Sequence, residues 1–403
     1  MSDVQTTPPV KKPAAPESQG SRIIRDIMSG NAVISVLAVF VALVIGGILI
    51  AVTDPAVTAA SGYFFADPGA TFSAMWAAVS DAYGALWRGA TYDPTARTWQ
   101  GQLGIFETLT FATPMILAGL AVTLAFRTGL FNIGAQGQIL IGATFAGAVG
   151  FEMNLPPVIH LIAVIIAGAL GGAIWAGIAG VLKARTGAHE VIVTIMLNYI
   201  AASLVLYLLK NQLRDPAKTN PVSPAMPDSA LLPQILGPNL RLNAGFIIAI
   251  LAVIGVAWLL NRSTMGFEFR AIGANPKAAQ TAGMLVSRGY IVVMLISGAL
   301  AGLAGVVQIA GTEKSLNSDI AGSIGFDAIT VALLGRSKPW GTFFAAILFG
   351  AFKAGGTSMA VNADVSIDIV AVVQSLIVLF IAAPPLIRAI FRIKATRREG
   401  VNA

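Results

Sequence analysis

The chain has 403 residues, 56% of them apolar and 11% charged, with a mean hydropathy of +0.78. Soluble domains carry about 25% charged residues, so this composition excludes an ordinary water-soluble globule. Cysteine is absent, which removes disulfides, thiolate metal sites and a lipidated cysteine, and two histidines (His160 and His189) do not make a buried metal cage.

In chain order, residues 1–30 read as a disordered cytoplasmic tail, because the first 21 are rich in Pro, Ser, Gln and Lys and have too little hydrophobicity to fold. The apolar run at 32–52 competes as a signal peptide, with small residues at Ala56–Ala60 for cleavage. Its polar lead is too long, and its roughly 20 apolar residues exceed a signal core of about 7–15. Residues 53–103 mix Gly, Asp, Pro and aromatics and read as a loop with interfacial pieces, in which Trp76, Trp87 and Trp99 suit the headgroup level. Further spans are expected at 105–126, 136–153, 157–181, 189–209, 244–260, 290–311, 322–335, 341–357 and 367–387. The pattern predicts an all-α polytopic membrane protein of about ten helices, since a hydrocarbon core of ~30 Å needs roughly 20 apolar residues per span. The membrane domain covers 31–388, and a basic cytoplasmic tail follows at 389–403.

The net charge of +7 would suit nucleic acid in a soluble chain, but in lipid the location of the cations decides, and no nucleic-acid partner is expected. With the N-terminus inside, the inner segments hold Lys11, Lys12, Arg22, Arg25, Arg127, Lys183, Arg185, Arg262, Arg270, Lys277, Arg288, Arg336, Lys338 and the cations from Arg388 to Arg398, most of the 26 Lys and Arg. That asymmetry follows the positive-inside rule and places both termini in the cytoplasm. The tail after Pro384-Pro385 is expected along the inner surface, its cations near anionic lipid.

Two segments are poor lipid-facing helices. Arg127–Gly142 sets Asn132, Gln136 and Gln138 among four glycines, and Asn132 and Gln136 share a face if the stretch is helical. Gly322–Arg336 holds Asp327 in a run of about 14 residues, roughly 21 Å as helix and too short to cross unaided. Short or Gly-interrupted spans in corresponding halves point to a transporter's substrate path. The second to fifth helices would then be inverted counterparts of the seventh to tenth. Small residues also serve close helix packing, and amides also bridge helices, so single glycines read as packing. An intramembrane carboxylate such as Asp327 is functional by default. Glu107, Glu190 and Lys353 fall near helix ends, where snorkelling or headgroup contact is expected.

The inner connection 261–288 is polar, yet Asn275 can cap a helix, Pro276 suits its first turn, and Gly283 can end it. A short surface helix with a small-residue face of Ala278, Ala279 and Ala282 reads as a docking element.

This segment resembles the cytoplasmic coupling loop of bacterial ABC-transporter permeases, with Lys277-Ala278-Ala279 and Gly283 in its Glu-Ala-Ala-type pattern. FNIGAQGQ (131–138), HEVIVTIMLNYIA (189–201), RAIGANPKAAQTAGM (270–284) and GFDAITVALLGR (325–336) resemble the branched-chain amino acid/simple sugar/nucleoside permease family. The first two blocks are similar to its nucleoside (guanosine-type) branch, and the resemblance spans roughly 104–388. It implies a type II-like importer permease that pairs with a second, identical or related, permease subunit. ABC ATPase subunits would dock on the coupling loop through Arg270, Gly273, Asn275, Pro276, Lys277, Ala278, Ala279 and Gly283, and an extracytoplasmic substrate-binding lipoprotein would deliver cargo. The chain has no GxxxxGK[ST] phosphate loop, so it is expected to bind no cofactor, ATP-Mg being used by the partner ATPase. Asn132, Gln136, Gln138, Asn198 and Asp327, with aromatic surface from Phe131, Tyr199 and Phe326, are the expected substrate path.

Two rivals stay open at this stage: a simple-sugar permease, and an ion-coupled secondary transporter with Asp327 and Glu313 as coupling carboxylates. A membrane-embedded enzyme lacks a constellation, with no paired carboxylates in a span.

Overall fold

The computed structural model describes residues 31–94, 96, 103–237 and 240–392. The expected N-terminal tail, Trp99 and the tail beyond Arg392 lie outside the described residues. Among the described residues the architecture is all-α, with one isolated β-bridge between Gln234 and Asn243.

Helix α1 (Asn31–Thr53) turns by 69° into the short α2 (Pro55–Ser61). Asp54 makes the corner: its Oδ1 accepts the N–H groups of Ala56 and Val57, and Pro55 opens the new helix. Residues 68–90, expected to be loop, form α3 (Pro68–Ala90). The reason is tertiary. Asp81, Tyr83 and Arg88 dilute its hydropathy, but its small face packs closely on α13, where a Cβ on Gly89 would lie 2.2 Å from that of Ser358. Tyr83 Oη also donates to the Leu43 carbonyl of α1.

The main bundle follows as α4 (Gly104–Arg127), α5 (Ala135–Glu152), α6 (Pro157–Thr186) and α7 (Glu190–Lys210). A long connection with one 3-10 turn leads to α8 (Gly245–Arg262), α9 (Thr264–Ala274) and α10 (Pro276–Thr281). Then come α11 (Val286–Val306), which continues as a π-helix over Val307–Glu313, α12 (Ile324–Leu334), α13 (Pro339–Asn362), α14 (Ile367–Ala382) and α15 (Pro384–Ile390).

Each expected span falls on a helix except 367–387, which is broken at Ala383 into α14 and α15, but among the described residues only six helices are long and apolar enough to cross a membrane, or seven if α1 and α2 count as one bent span. Length and apolar character alone therefore establish a polytopic protein, not a count of ten. Helix α12 has 11 residues, and α5 gives its first turn to amides and glycines.

Helix α4 lies at the centre, with every residue from Ala112 to Ala125 buried. It packs mainly on α13, while α11 packs mainly on α6; α4 also touches α12, and α11 touches α5. Exchanging the two halves maps each of these pairs onto the other. Ser297 of α11 bonds the Ala121 carbonyl, whereas Gln308, further along α11, shares a cavity with Thr110 and Phe111. Helices α4 and α11 are thus antiparallel, as an inverted repeat requires.

Small residues make the α6–α11 crossing possible. A Cβ on Gly172 would meet the Gly298 carbonyl at 2.2 Å, and one on Gly302 would meet the Gly168 carbonyl at 2.2 Å. In lipid, where apolar side chains gain little by leaving a similar solvent, such backbone approach is a main source of helix association.

Candidate functional site

Two helix starts, those of α5 and α12, meet in the bundle. Helix α4 ends at Arg127, Gly129 takes a left-handed φ of 76°, and the chain stays non-helical until α5 starts at Ala135. Irregular backbone at membrane depth needs internal partners, and the expected amides supply them. Asn132 Oδ1 accepts the Gly134 N–H at 3.0 Å, and Asn132 Nδ2 donates to Gln138 Oε1 at 3.1 Å and to Ser297 Oγ at 2.9 Å. Gln138 Nε2 returns a bond to Asn132 Oδ1 at 2.9 Å. From α7, Asn198 Oδ1 accepts the Gly137 N–H and Asn198 Nδ2 donates to the Ile133 carbonyl, each at 2.9 Å. Asn132 and Gln138 are 0% and 1% exposed, and these buried amides are committed to protein partners.

Gln136 reaches the other way. Its Nε2 donates to the Gly322 carbonyl at 2.7 Å, and its Oε1 accepts the Gly325 N–H at 2.9 Å. It therefore holds the first turn of α12, so the starts of α5 and α12 abut. On the far side of that turn, Ser323 Oγ donates to Asp327 Oδ2 at 2.7 Å, while Lys353 of α13 lies 3.0 Å from Asp327 and donates to Ser323 Oγ at 2.8 Å. Lys353 is 14 residues into α13, about 21 Å along the helix. This corrects the expectation that Lys353 snorkels to headgroups. Glu107 and Glu190 are likewise paired, with Arg241 at 3.5 Å and with Lys183 at 2.8 Å. Desolvation makes an intramembrane charge costly, and an opposite charge at contact distance offsets that cost.

Two cavities adjoin this triad. One of 360 Å³ is walled by Asp327, Thr357, Asp368, Gln374 and Ser375, and one of 480 Å³ by Gln308, Glu313, Asn317 and Asp319; Phe111, Ser323 and Lys353 border both. Each falls in the size range of small-molecule sites, roughly 300–1,000 Å³. A larger apolar groove of about 710 Å³ between α1 and α3 offers almost no polar group to a solute.

The structure thus brings Asp327 to a cavity and sets Gln136 behind it. The aromatics are not gathered there: Phe131 packs at a tilt on Phe126 with centroids 4.8 Å apart, Tyr199 is 68% exposed, and Phe326 is 54% exposed. Sequence reasoning passed over Phe111, Ser323, Gln308 and Gln374, and placed Lys353 at a helix end. An intramembrane lysine in AILFGAFKAGG was a readable signal. The others became visible only once four helices were assembled.

At the end of the bundle where α11 and α13 begin, α9 lies against the α4–α5 break, and α10 follows it. A Cβ on Gly273 would meet the Arg127 carbonyl at 2.3 Å, and Gly129 sits against Gly273. Asn275 caps α10 by accepting the Lys277 and Ala278 N–H groups, Pro276 opens it, and Gly283 turns the chain with φ 87°. Arg270 Nη1 is buried without a hydrogen-bond partner among the described residues. The expected small-residue face is split by burial: Ala279 is buried, while Ala278 and Ala282 face outward. Helix α9 within this connection was not foreseen.

A bundle of long apolar helices with two abutting helix starts, polar cavities beside the start of α12 and exposed short helices at one end suits a transport permease. Residues 104–382 match the family described as branched-chain amino acid transport system / permease component, and the chain belongs to it. It is 42% identical over 328 residues to the guanosine ABC transporter permease protein NupP of Bacillus subtilis, covering 80% of this chain and 91% of that protein. It is 37% identical over 317 residues to the nucleoside ABC transporter permease protein NupB of Lactococcus lactis (74% and 86%), and 35% identical over 310 residues to the glucose ABC transporter permease protein TsgB13 of Haloferax volcanii (75% and 80%). The chain is a transport subunit of the ABC permease type. Among the described residues no group of three or more His, Cys, Asp or Glu could hold a metal.

Proposed function

We propose that this chain, through its domain at 31–388, carries nucleosides inward across the cytoplasmic membrane as one permease subunit of an ATP-driven importer. The similarity to NupP and NupB supports the cargo. A second permease subunit completes the pore, a substrate-binding lipoprotein delivers the nucleoside outside, and ATPase subunits consume ATP-Mg inside. Both termini lie in the cytoplasm, with the basic tail along anionic lipid, in keeping with the charge asymmetry of the loops.

The observation that carries the mechanism is a continuous set of contacts. ATPase closure pushes α9–α10. Gly273 bears on Arg127 and Gly129 at the break, the break leads through the Asn132 network into α5, and Gln136 links α5 to the first turn of α12. That turn carries Ser323 and Asp327 into the cavities. A shift at the docking helices thus reaches the solute space through two helix starts that have little freedom to move independently.

Uptake of radiolabelled guanosine by proteoliposomes holding the complete importer tests this reading. ATP-dependent uptake that needs the lipoprotein and is competed by other nucleosides is expected. Competition by glucose but not by nucleosides would establish the sugar reading, which the similarity to TsgB13 favours.

A further inference from the structure

The intramembrane amides divide into two groups. Asn132, Gln136, Gln138 and Asn198 are bonded to protein groups. Gln308 and Gln374 make no side-chain hydrogen bond to the described residues, although both are half-buried in cavity walls. An unpaired amide at membrane depth is unfavourable unless a solute or water supplies its partner.

Three further features describe that solute. Phe111 borders both cavities, and Arg241 stands over its ring at 5.8 Å while reaching Glu107 at 3.5 Å, which steadies the ring. The two walls together present four carboxylates (Asp327, Asp368, Glu313 and Asp319) against one ammonium, Lys353. Phosphate esters are therefore repelled, whereas hydroxyl and N–H donors find acceptors. Gln308 sits on the π-helical segment, which the outer connection fixes through the Leu232 N–H bond to the Ala310 carbonyl at 2.9 Å. Such π-turns recur where a helix re-aims a side chain at a site.

Resting on the nucleoside reading above, we propose that the joined cavities form one binding subsite for an unphosphorylated nucleoside. The base stacks on Phe111 with its edge toward Gln308, and the ribose hydroxyls bond Gln374 and the Ser323–Asp327 pair.

The absence of cysteine makes a clean test. Gln308→Cys and Gln374→Cys are introduced singly into the full importer and labelled with a membrane-impermeant maleimide, with Asn211→Cys as a control outside the cavities. Guanosine should slow labelling several-fold at both cavity positions and not at Asn211, and guanosine monophosphate should protect neither. Phe111→Leu should lower guanosine uptake about tenfold, equivalent to ~1.4 kcal/mol and within the range measured for base–aromatic stacking. Wild-type uptake of guanosine with no protection at either cysteine and normal uptake by Phe111→Leu would sink the subsite alone. No guanosine uptake by the wild-type importer would remove the nucleoside reading and the subsite with it. Protection by glucose or by the monophosphate would overturn the assignment of a nucleoside to this space.

Discussion

Gln136 and Gly325 join two helix starts that are 189 residues apart in sequence: the Gly325 N–H donates to Gln136 Oε1 at 2.9 Å, and a Cβ on Gly325 would lie 2.4 Å from the Gln136 Cα. Gly325→Ala should therefore force α5 and α12 apart. Overpacking of this kind costs about 1–3 kcal/mol. The expected result is a lower thermal midpoint in detergent and strongly reduced uptake. An unchanged midpoint would show that the two starts are not tightly joined.

Asn132→Ala removes the partner of Gly134 and leaves Gln138 without its reciprocal bond. Each buried polar group so orphaned costs roughly 1–3 kcal/mol. The variant should unfold at lower temperature, whereas Tyr199→Ala, on an exposed face of α7, should leave the midpoint of this subunit nearly unchanged. Equal effects would contradict the scaffold role of the network.

The docking helix separates into two predictions by burial. Ala279→Arg pushes a charge into a buried position and should reduce the amount of folded chain. Ala278→Arg faces outward and should leave the subunit folded while weakening co-purification of the ATPase. Retention of the ATPase by Ala278→Arg at wild-type yield would place the docking surface elsewhere.

Lys353→Met leaves Asp327 unpaired beside the cavity. Removing one partner of a fully buried pair costs about 3–5 kcal/mol, and the partial exposure here makes the loss smaller. Folded yield should fall in Lys353→Met and recover in the double variant Lys353→Met/Asp327→Asn, while uptake should stay impaired in both. Full recovery of uptake would reduce the pair to a structural role.

Composition and apolar run lengths by themselves determined a polytopic all-α membrane protein, because transfer of charge and backbone into lipid admits few alternatives. The weak spans at 127–142 and 322–336 were also legible, since amides, glycines and a carboxylate are costly there unless they do something. Four blocks of sequence were enough to suggest the permease family. Other features had to wait for the tertiary structure. Helix α3 looked like loop because Tyr83 finds its partner in α1 and Gly89 its close packing on α13, neither of which is its neighbour in sequence. The alternatives for Asn132, Gln138 and Asn198, scaffold or path, depend on partners such as Ser297 that are 165 residues from Asn132. Lys353 finds Asp327, and Phe111 comes to border both the cavity of Gln308 and that of Gln374, only when α4, α11, α12, α13 and α14 are assembled. Local chemistry marks where a polar group is expensive; what offsets that expense is a property of the packed bundle.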